Sequence, residues 1–562
     1  MNRRQALRLA GTAAAATAAA GLIASCSAPA SRRTPTEPIL LHNVNGVTCT
    51  SQGNRRFASL LIGADGKIEA LDPGAVGGVR RVDGRGRVCV PGLHDSHGHV
   101  FNLGALSTQL DLSPARSLND ALQMVDTYTR AHPTLSWITG RGWNEVNWHD
   151  RLPTAADLDT VVDGRPVWLL RTDSHMGWAN SAALRATAVM AATPDPAGGT
   201  ILRDEQGHPT GILIDTAKRL VDQQIPAPTT TEHTERLLAA QRMLNQVGLT
   251  GVTEAATGPE HVPVLFDCAR TDQLTMRINS CLTWEAFTRF GDAVRRSTDD
   301  DRLRVGTVKI FVDGALGSHG ACLLAPYADQ PGNRGLAQLS FDELAARIRR
   351  AADAGFAVAV HAIGDAANRM ALDAFAQVGG SAAHAPLRHR IEHAQVLDLT
   401  DIPRFAQLGL IASMQPMHAV DDRAMAEARL GADRLAGAYA WRRFAEQRTV
   451  LAAGSDFPVA THNPWDGLHA ATTRTDREGA PAGGWRAEQA LSPAEALRAY
   501  TLDAAYAAGQ EHLFGSLEPG KYADLVLCDQ DPLAVPAGRA LWQTKVLQTW
   551  VGGIQVGEYD QL

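Results

Sequence analysis

Past residue 26, this 562-residue chain has no run long and apolar enough to cross a membrane, no C-x-x-C pair and no surplus of basic charge. The first absence excludes a membrane-embedded body. A net charge of -7 leaves no electrostatic footprint for nucleic acid. Six of the cysteines (Cys49, Cys89, Cys268, Cys281, Cys322 and Cys528) are widely scattered, which excludes a dense disulfide framework and reads as buried packing. "AGSDFP" lacks the strand-turn-helix G-x-S-x-G context, so no serine nucleophile is indicated.

The N terminus is different in kind. "MNRRQALRLAGTAAAATAAAGLIASC" has a basic start, an Ala-rich apolar middle and small residues before Cys26, the pattern of an export signal. Arg3 and Arg4 suggest the twin-arginine route, and Ile23-Ala24-Ser25-Cys26 resembles a lipobox. The expectation is export across a bacterial cytoplasmic membrane and a lipoprotein tethered through Cys26, on the outer face of that membrane or in the periplasm. An ordinary cleaved signal is the alternative. Residues 27–38, with Pro29, Pro35 and Pro38, read as a flexible tether.

A chain of this length exceeds what one hydrophobic core supports, so a large domain and a smaller one are expected. Short apolar runs with Gly and Asp turns fill residues 39–90, and a matching set follows residue 510. Both ends therefore predict one small β-sandwich domain, 39–90 plus 510–562. Between them, residues 91–509 alternate strands and helices in the manner of a parallel α/β fold. Candidate strands lie at 89–97, 251–256, 277–282, 306–312, 356–362, 389–394, 410–415 and 449–455. Eight suits a (β/α)8 TIM barrel. Ser340 with Glu343, and Ser492 with Pro493 and Glu495, fit capping boxes, and Gly355 stands where a helix would stop.

The gap after the first strand is too long for one helix, which predicts an insertion at about 105–225. Its place in the chain would set it at the barrel mouth, as a lid and recognition region. Trp137, Trp143, Trp148, Trp168 and Trp178 then read either as recognition groups or as the insertion's own core.

In "HDSHGHV", His97 and His99 stand two apart at a strand end, so both rings point to the same side, while His94 has the wrong phase. His361 ends "AVAVHAIGD", His393 ends "HRIEHAQ" and Asp456 follows "LAAGS". Barrel enzymes keep their reactive groups at such carboxyl ends. Four imidazoles and a carboxylate suit zinc or a similar transition metal better than calcium or magnesium. Lys309, in "VKIFVDGALGS", sits in an otherwise apolar strand. A neutral lysine amine can take up carbon dioxide to form a carbamate that bridges two cations. The alternatives are a lysine that reaches the barrel rim or pairs with Asp313.

Together, "PGLHDSHGH", "RGWNEVNWHDRLPTAADLD", "RTDSHMGWANSAAL", "VKIFVDGALGS", "VHAIGDAAN", "RIEHAQ", "AGSDFPV" and "GSLEPGKYADLVL" resemble the amidohydrolase superfamily, in its amidohydrolase 3 branch with the N-substituted formamide deformylases. The resemblance implies a distorted (β/α)8 barrel with a β-sandwich from both chain ends and a two-metal site. On that pattern His97, His99 and Asp456 hold the more buried metal, His361 and His393 the more exposed one, and carboxylated Lys309 bridges them. His175 would polarise the substrate carbonyl.

The expected reaction is hydrolysis of an amide or formamide-type C–N bond in a small molecule. Water shared by two metals would attack, and Asp456 would serve as general base and then general acid. Hydrolysis of an ester, lactone, cyclic imide or carbamate by the same site stays open, as do a lipid-anchored binding protein and a homodimer.

Overall fold

The structure is a computed structural model that describes residues 35–559, apart from 134, 149–150, 163, 172–175, 197–198 and 380–386. The expected export signal and all but the end of the tether lie outside the described residues. Among the described residues no helix is long and apolar enough to cross a membrane.

Eight strands form the barrel: β1 (Leu93–Gly98), β2 (Leu249–Thr257), β3 (Arg277–Thr283), β4 (Leu303–Phe311), β5 (Ala357–Ala362), β6 (Arg390–His393), β7 (Ile411–Met414) and β8 (Leu451–Ala453). Each pairs in parallel with the next in chain order. All eight overlap the segments read from sequence. Their near-continuous apolar runs mark strands covered on both faces, which is the condition of a parallel sheet between its core and its helices.

The ring is drawn together between β8 and β1 at their carboxyl ends. There Asp456 N donates to His97 O at 2.7 Å, and His99 N donates to Phe457 O at 2.9 Å. The buried Asp95 carboxylate reinforces this seam by accepting from Ser455 Oγ at 2.7 Å and from His97 N at 3.0 Å. The approach is so close that a Cβ on Gly454 would stand 2.5 Å from His97 N. Thus the seam places His97, His99 and Asp456 side by side.

Helix signals act as read. Ser340 caps the helix Phe341–Asp353 in a reciprocal box with Glu343, and Ser492 does the same for Pro493–Ala499 with Glu495. Gly355 follows the first of these helices with φ of 75°, a conformation glycine adopts without a Cβ penalty.

Strands from both chain ends form one continuous seven-stranded sheet, in the order Ile554–Glu558, Val546–Val551, Leu525–Cys528, Arg80–Pro91, Ile39–Val47, Arg56–Ile62, Ile68–Leu71. The sheet curls, so that Ile68 N donates to Lys521 O at 2.8 Å. Ile39, Leu60, Leu525 and Trp550 are among the residues of its core. Arg277 of β3 joins this region to the barrel with Nε and NH2 on the two oxygens of Asp524, at 2.6 and 3.0 Å, both side chains being buried.

Residues 101–239 form a second compact unit with its own six-stranded sheet. Trp143, Trp148 and Trp178 lie in one core of this unit and Trp168 in another, against which Trp137 packs. Their indole N–H groups are also committed: Trp143 to Leu169 O, Trp148 to Ala115 O, Trp178 to Thr154 O and Trp168 to Asp222 Oδ1. Four of the five tryptophans are therefore core residues rather than recognition groups, because burial occupies both the apolar ring and its polar edge.

Candidate metal centre

The carboxyl ends of the barrel strands bring the expected side chains into one neighbourhood. His97 lies in β1 and is 1% exposed, and His99 follows that strand. Potential ligand atoms of His97, His393 and Asp456 lie within 4.8 Å of one another. His99 Nε2 stands 3.1 Å from Asp456 Oδ1, and His97 Nε2 stands 3.6 Å from the same oxygen. The His361 ring is 4.5 Å from that of His393, centroid to centroid. These five expected residues are thus neighbours, with a tight set of three at the centre. His175 lies outside the described residues.

Lys309 is 2% exposed in β4, so it does not reach the rim. Nor does it pair with Asp313, whose carboxylate instead accepts from the backbone N–H groups of Cys322, Ile363 and Gly364. The Lys309 Nζ lies 5.0 Å from the Phe311 ring centroid. Burial lowers its pKa from the ordinary lysine value, against the attraction of Glu392 and Asp456.

His94 faces elsewhere: its ring stacks on Phe514, and its Nε2 lies 3.3 Å from Thr253 Oγ1.

The groups behind the histidines decide which nitrogen each one offers. His97 Nδ1 donates to Glu392 Oε2 at 2.5 Å, leaving Nε2 toward Asp456. Glu392 is itself held by Arg390, which also reaches Ala507 O and Cys281 Sγ. Burial opposes the charge on Glu392, but Arg390 and His97 hold the carboxyl well below its usual range. His393 Nδ1 donates to Gln415 Oε1 at 2.8 Å, which again leaves Nε2 free. His361 lacks such a partner, since its Nε2 is buried without a hydrogen bond and lies 3.6 Å from Asp313 Oδ1. Such partners fix tautomer and ring orientation at metal-binding histidines.

Protonation states agree with metal binding. Burial depresses the pKa of His97 and His393 and takes that of His361 to about 3, so all three are neutral with a lone pair to give. Burial disfavours ionised Asp456, yet His97 and the His99 hydrogen bond outweigh it and hold the carboxyl far below its usual value. For His99, burial is outweighed by Asp456, which raises the pKa. A cation between the two would replace that proton.

Two members of the set hold left-handed backbones, His393 with φ of 73° and Asp456 with φ of 59°. Such conformations cost about 1 to 3 kcal/mol outside glycine and persist only where surroundings enforce them. At His393 the turn follows directly on Glu392, one residue earlier in β6. Adjacent strand residues normally face opposite ways, but here both serve one centre.

Glu392, Gln415 and Asp95 were not singled out from sequence, and Asp313 was named only as an alternative partner of Lys309. Glu392→Gln is expected to weaken metal binding by about 10- to 100-fold while leaving the ligands in place. Titration of the demetallated protein with zinc, wild type beside variant, measures this; equal affinities would remove Glu392 from the centre.

Comparisons with known proteins agree with this geometry. The model of the Amidohydrolase family matches residues 80–556. Protein LONG AFTER FAR-RED 3 of Arabidopsis thaliana is 34% identical over 91% of this chain and 90% of its own. N-substituted formamide deformylase of Arthrobacter pascens is 28% identical over 84% of this chain and 89% of its own. The crystal structure of an uncharacterized metal-dependent hydrolase from Pyrococcus furiosus superposes with a TM-score of 0.75 and 28% identity, covering 88% of this chain and all of that one. A family match across the barrel and the later strands of the terminal sheet, with ionised and neutral donors gathered at the strand ends, leaves one assignment: the chain belongs to the Amidohydrolase family and is a metal-dependent hydrolase.

Proposed function

We propose that this hydrolase cleaves an amide-type C–N bond, of the formamide kind, in a small molecule, with two divalent cations of the zinc type. The observation that carries the reading is the preset donor group of His97, His393 and Asp456, joined by His99 and His361, with Glu392 and Gln415 selecting the nitrogen that His97 and His393 offer. Imidazole and carboxylate donors of this kind suit zinc. A carbamate on Lys309 would complete the set. The relative named N-substituted formamide deformylase supports the choice of bond.

When bound, such cations polarise a carbonyl and lower the pKa of water. The chain's own part is to hold the substrate carbonyl and to move a proton. Asp456 stays ionised at neutral pH, so it can accept the proton of the attacking water and return it to the departing amine nitrogen. His97 and His393 are held by Glu392 and Gln415, which keeps the donors fixed while that proton moves.

The test pairs elemental analysis of the purified protein with a panel of N-substituted formamides, simple esters and lactones. We expect bound zinc-type ions and faster turnover of the formamides than of the other classes. Turnover of esters or lactones alone would overturn the C–N assignment.

A further inference from the structure

Strand β7 contributes none of the ligands expected from sequence, yet the turn after it delivers two polar side chains to the centre. The first is Gln415, which fixes His393. Pro416 then opens the short helix Pro416–Asp421, whose first turn carries His418. The His418 ring lies nearly parallel to that of His393, with 6.2 Å between centroids and 13° between planes. Its Nε2 is buried without a hydrogen-bond partner and faces Asp456 Oδ2 at 3.9 Å, beyond direct hydrogen-bond range.

Asp456 is thereby divided between two sets of neighbours. Oδ1 is turned to His99 and His97, and Oδ2 to His418. Leaving a buried polar atom without a partner is costly, and water or a ligand commonly meets it. Here the atom stands beside the carboxylate assigned to proton transfer. The arrangement fits a partner atom that arrives with the substrate.

Resting on the hydrolytic reading above, we propose that His418 is a catalytic residue that donates Nε2–H to the carbonyl oxygen of the substrate as it gains negative charge. A neutral imidazole suffices, so the role requires no change in its protonation. Nor does it duplicate Asp456, which is anionic and cannot donate to a developing oxyanion. A fixed donor aimed at such an oxygen contributes most in the transition state, when the charge is greatest.

The probe is methylphosphonate, whose tetrahedral anionic oxygens imitate that state. Its binding to the metal-loaded protein is measured by calorimetry for wild type, His418→Ala and His418→Gln, with metal per chain determined for each. We expect His418→Ala to lower methylphosphonate affinity by about 10²-fold at unchanged metal content. His418→Gln, which returns an N–H donor, should recover most of the loss. On any amide the wild type hydrolyses, His418→Ala should lower kcat more than it changes KM. Equal phosphonate affinity in all three proteins, no phosphonate binding by wild type, or loss of metal in His418→Ala would each overturn the proposal. Absence of amide turnover in wild type bears on the hydrolytic reading alone, because phosphonate affinity reports on His418 without turnover.

Discussion

Asp456→Asn is expected to keep its metal at saturating concentration and to lose turnover by about 10²- to 10⁴-fold, the range of a displaced general acid–base. At 1.36 kcal/mol per tenfold, that is about 2.7 to 5.4 kcal/mol of transition-state stabilisation. The substitution changes one atom, so packing at the β8–β1 seam is preserved. The seam also depends on backbone atoms of residue 456, since Asp456 N donates to His97 O whatever the side chain. What disappears is the anionic oxygen that can accept a proton, since the amide in its place is not basic. His97→Ala is a different case, because it removes a ligand atom and leaves Glu392 buried beside an empty volume. It should lose metal and turnover together. Elemental analysis alongside a kinetic assay separates the two variants. Undiminished turnover by Asp456→Asn would sink the assignment of proton transfer to this residue.

The barrel was legible because its strands are covered on both faces. A run such as Ala357–Ala362 stands out against the helices around it, and candidate ligand histidines mark the carboxyl ends of several such strands. The supporting groups were hidden for an equally physical reason. Glu392 directly precedes His393, and a period of two assigns neighbours to opposite faces. Only the left-handed turn at His393 lets both serve the centre. A signal was nonetheless present, since Arg390 and Glu392 lie two apart on a buried strand and buried charges require partners. His418 had no comparable signal. It follows a proline-opened turn, and its relevance rests on an unpartnered nitrogen that periodicity cannot show. The tryptophans mislead in the opposite sense, because a ring that packs a core and one that grips a ligand have the same sequence signature.

Lys309→Ala is expected to lose metal, and a small carboxylate such as propionate is expected to restore it. The reasoning begins with burial. An ammonium buried near the carboxyl end of β4 is disfavoured, and none of the ion pairs among the described residues involves Lys309. Its lowered pKa raises the share of neutral amine, the form that adds to carbon dioxide. In that step the nitrogen lone pair forms an N–C bond to carbon dioxide, and one N–H proton is released, leaving an anionic carbamate. The carbamate presents two oxygens as a carboxylate does, which replaces a poor metal ligand with a good one, and bound cations offset the cost of its buried charge. Alanine removes the whole group and leaves room for an exogenous carboxylate in the same place. Wild type should hold about two zinc-type ions per chain, falling in the variant and recovering with propionate. Removal of carbon dioxide and bicarbonate during metal loading should lower the content of wild type but not that of Lys309→Ala. A variant that keeps its full metal complement without added carboxylate would end the bridging role and leave Lys309 as a buried lysine whose amine contributes nothing to the centre.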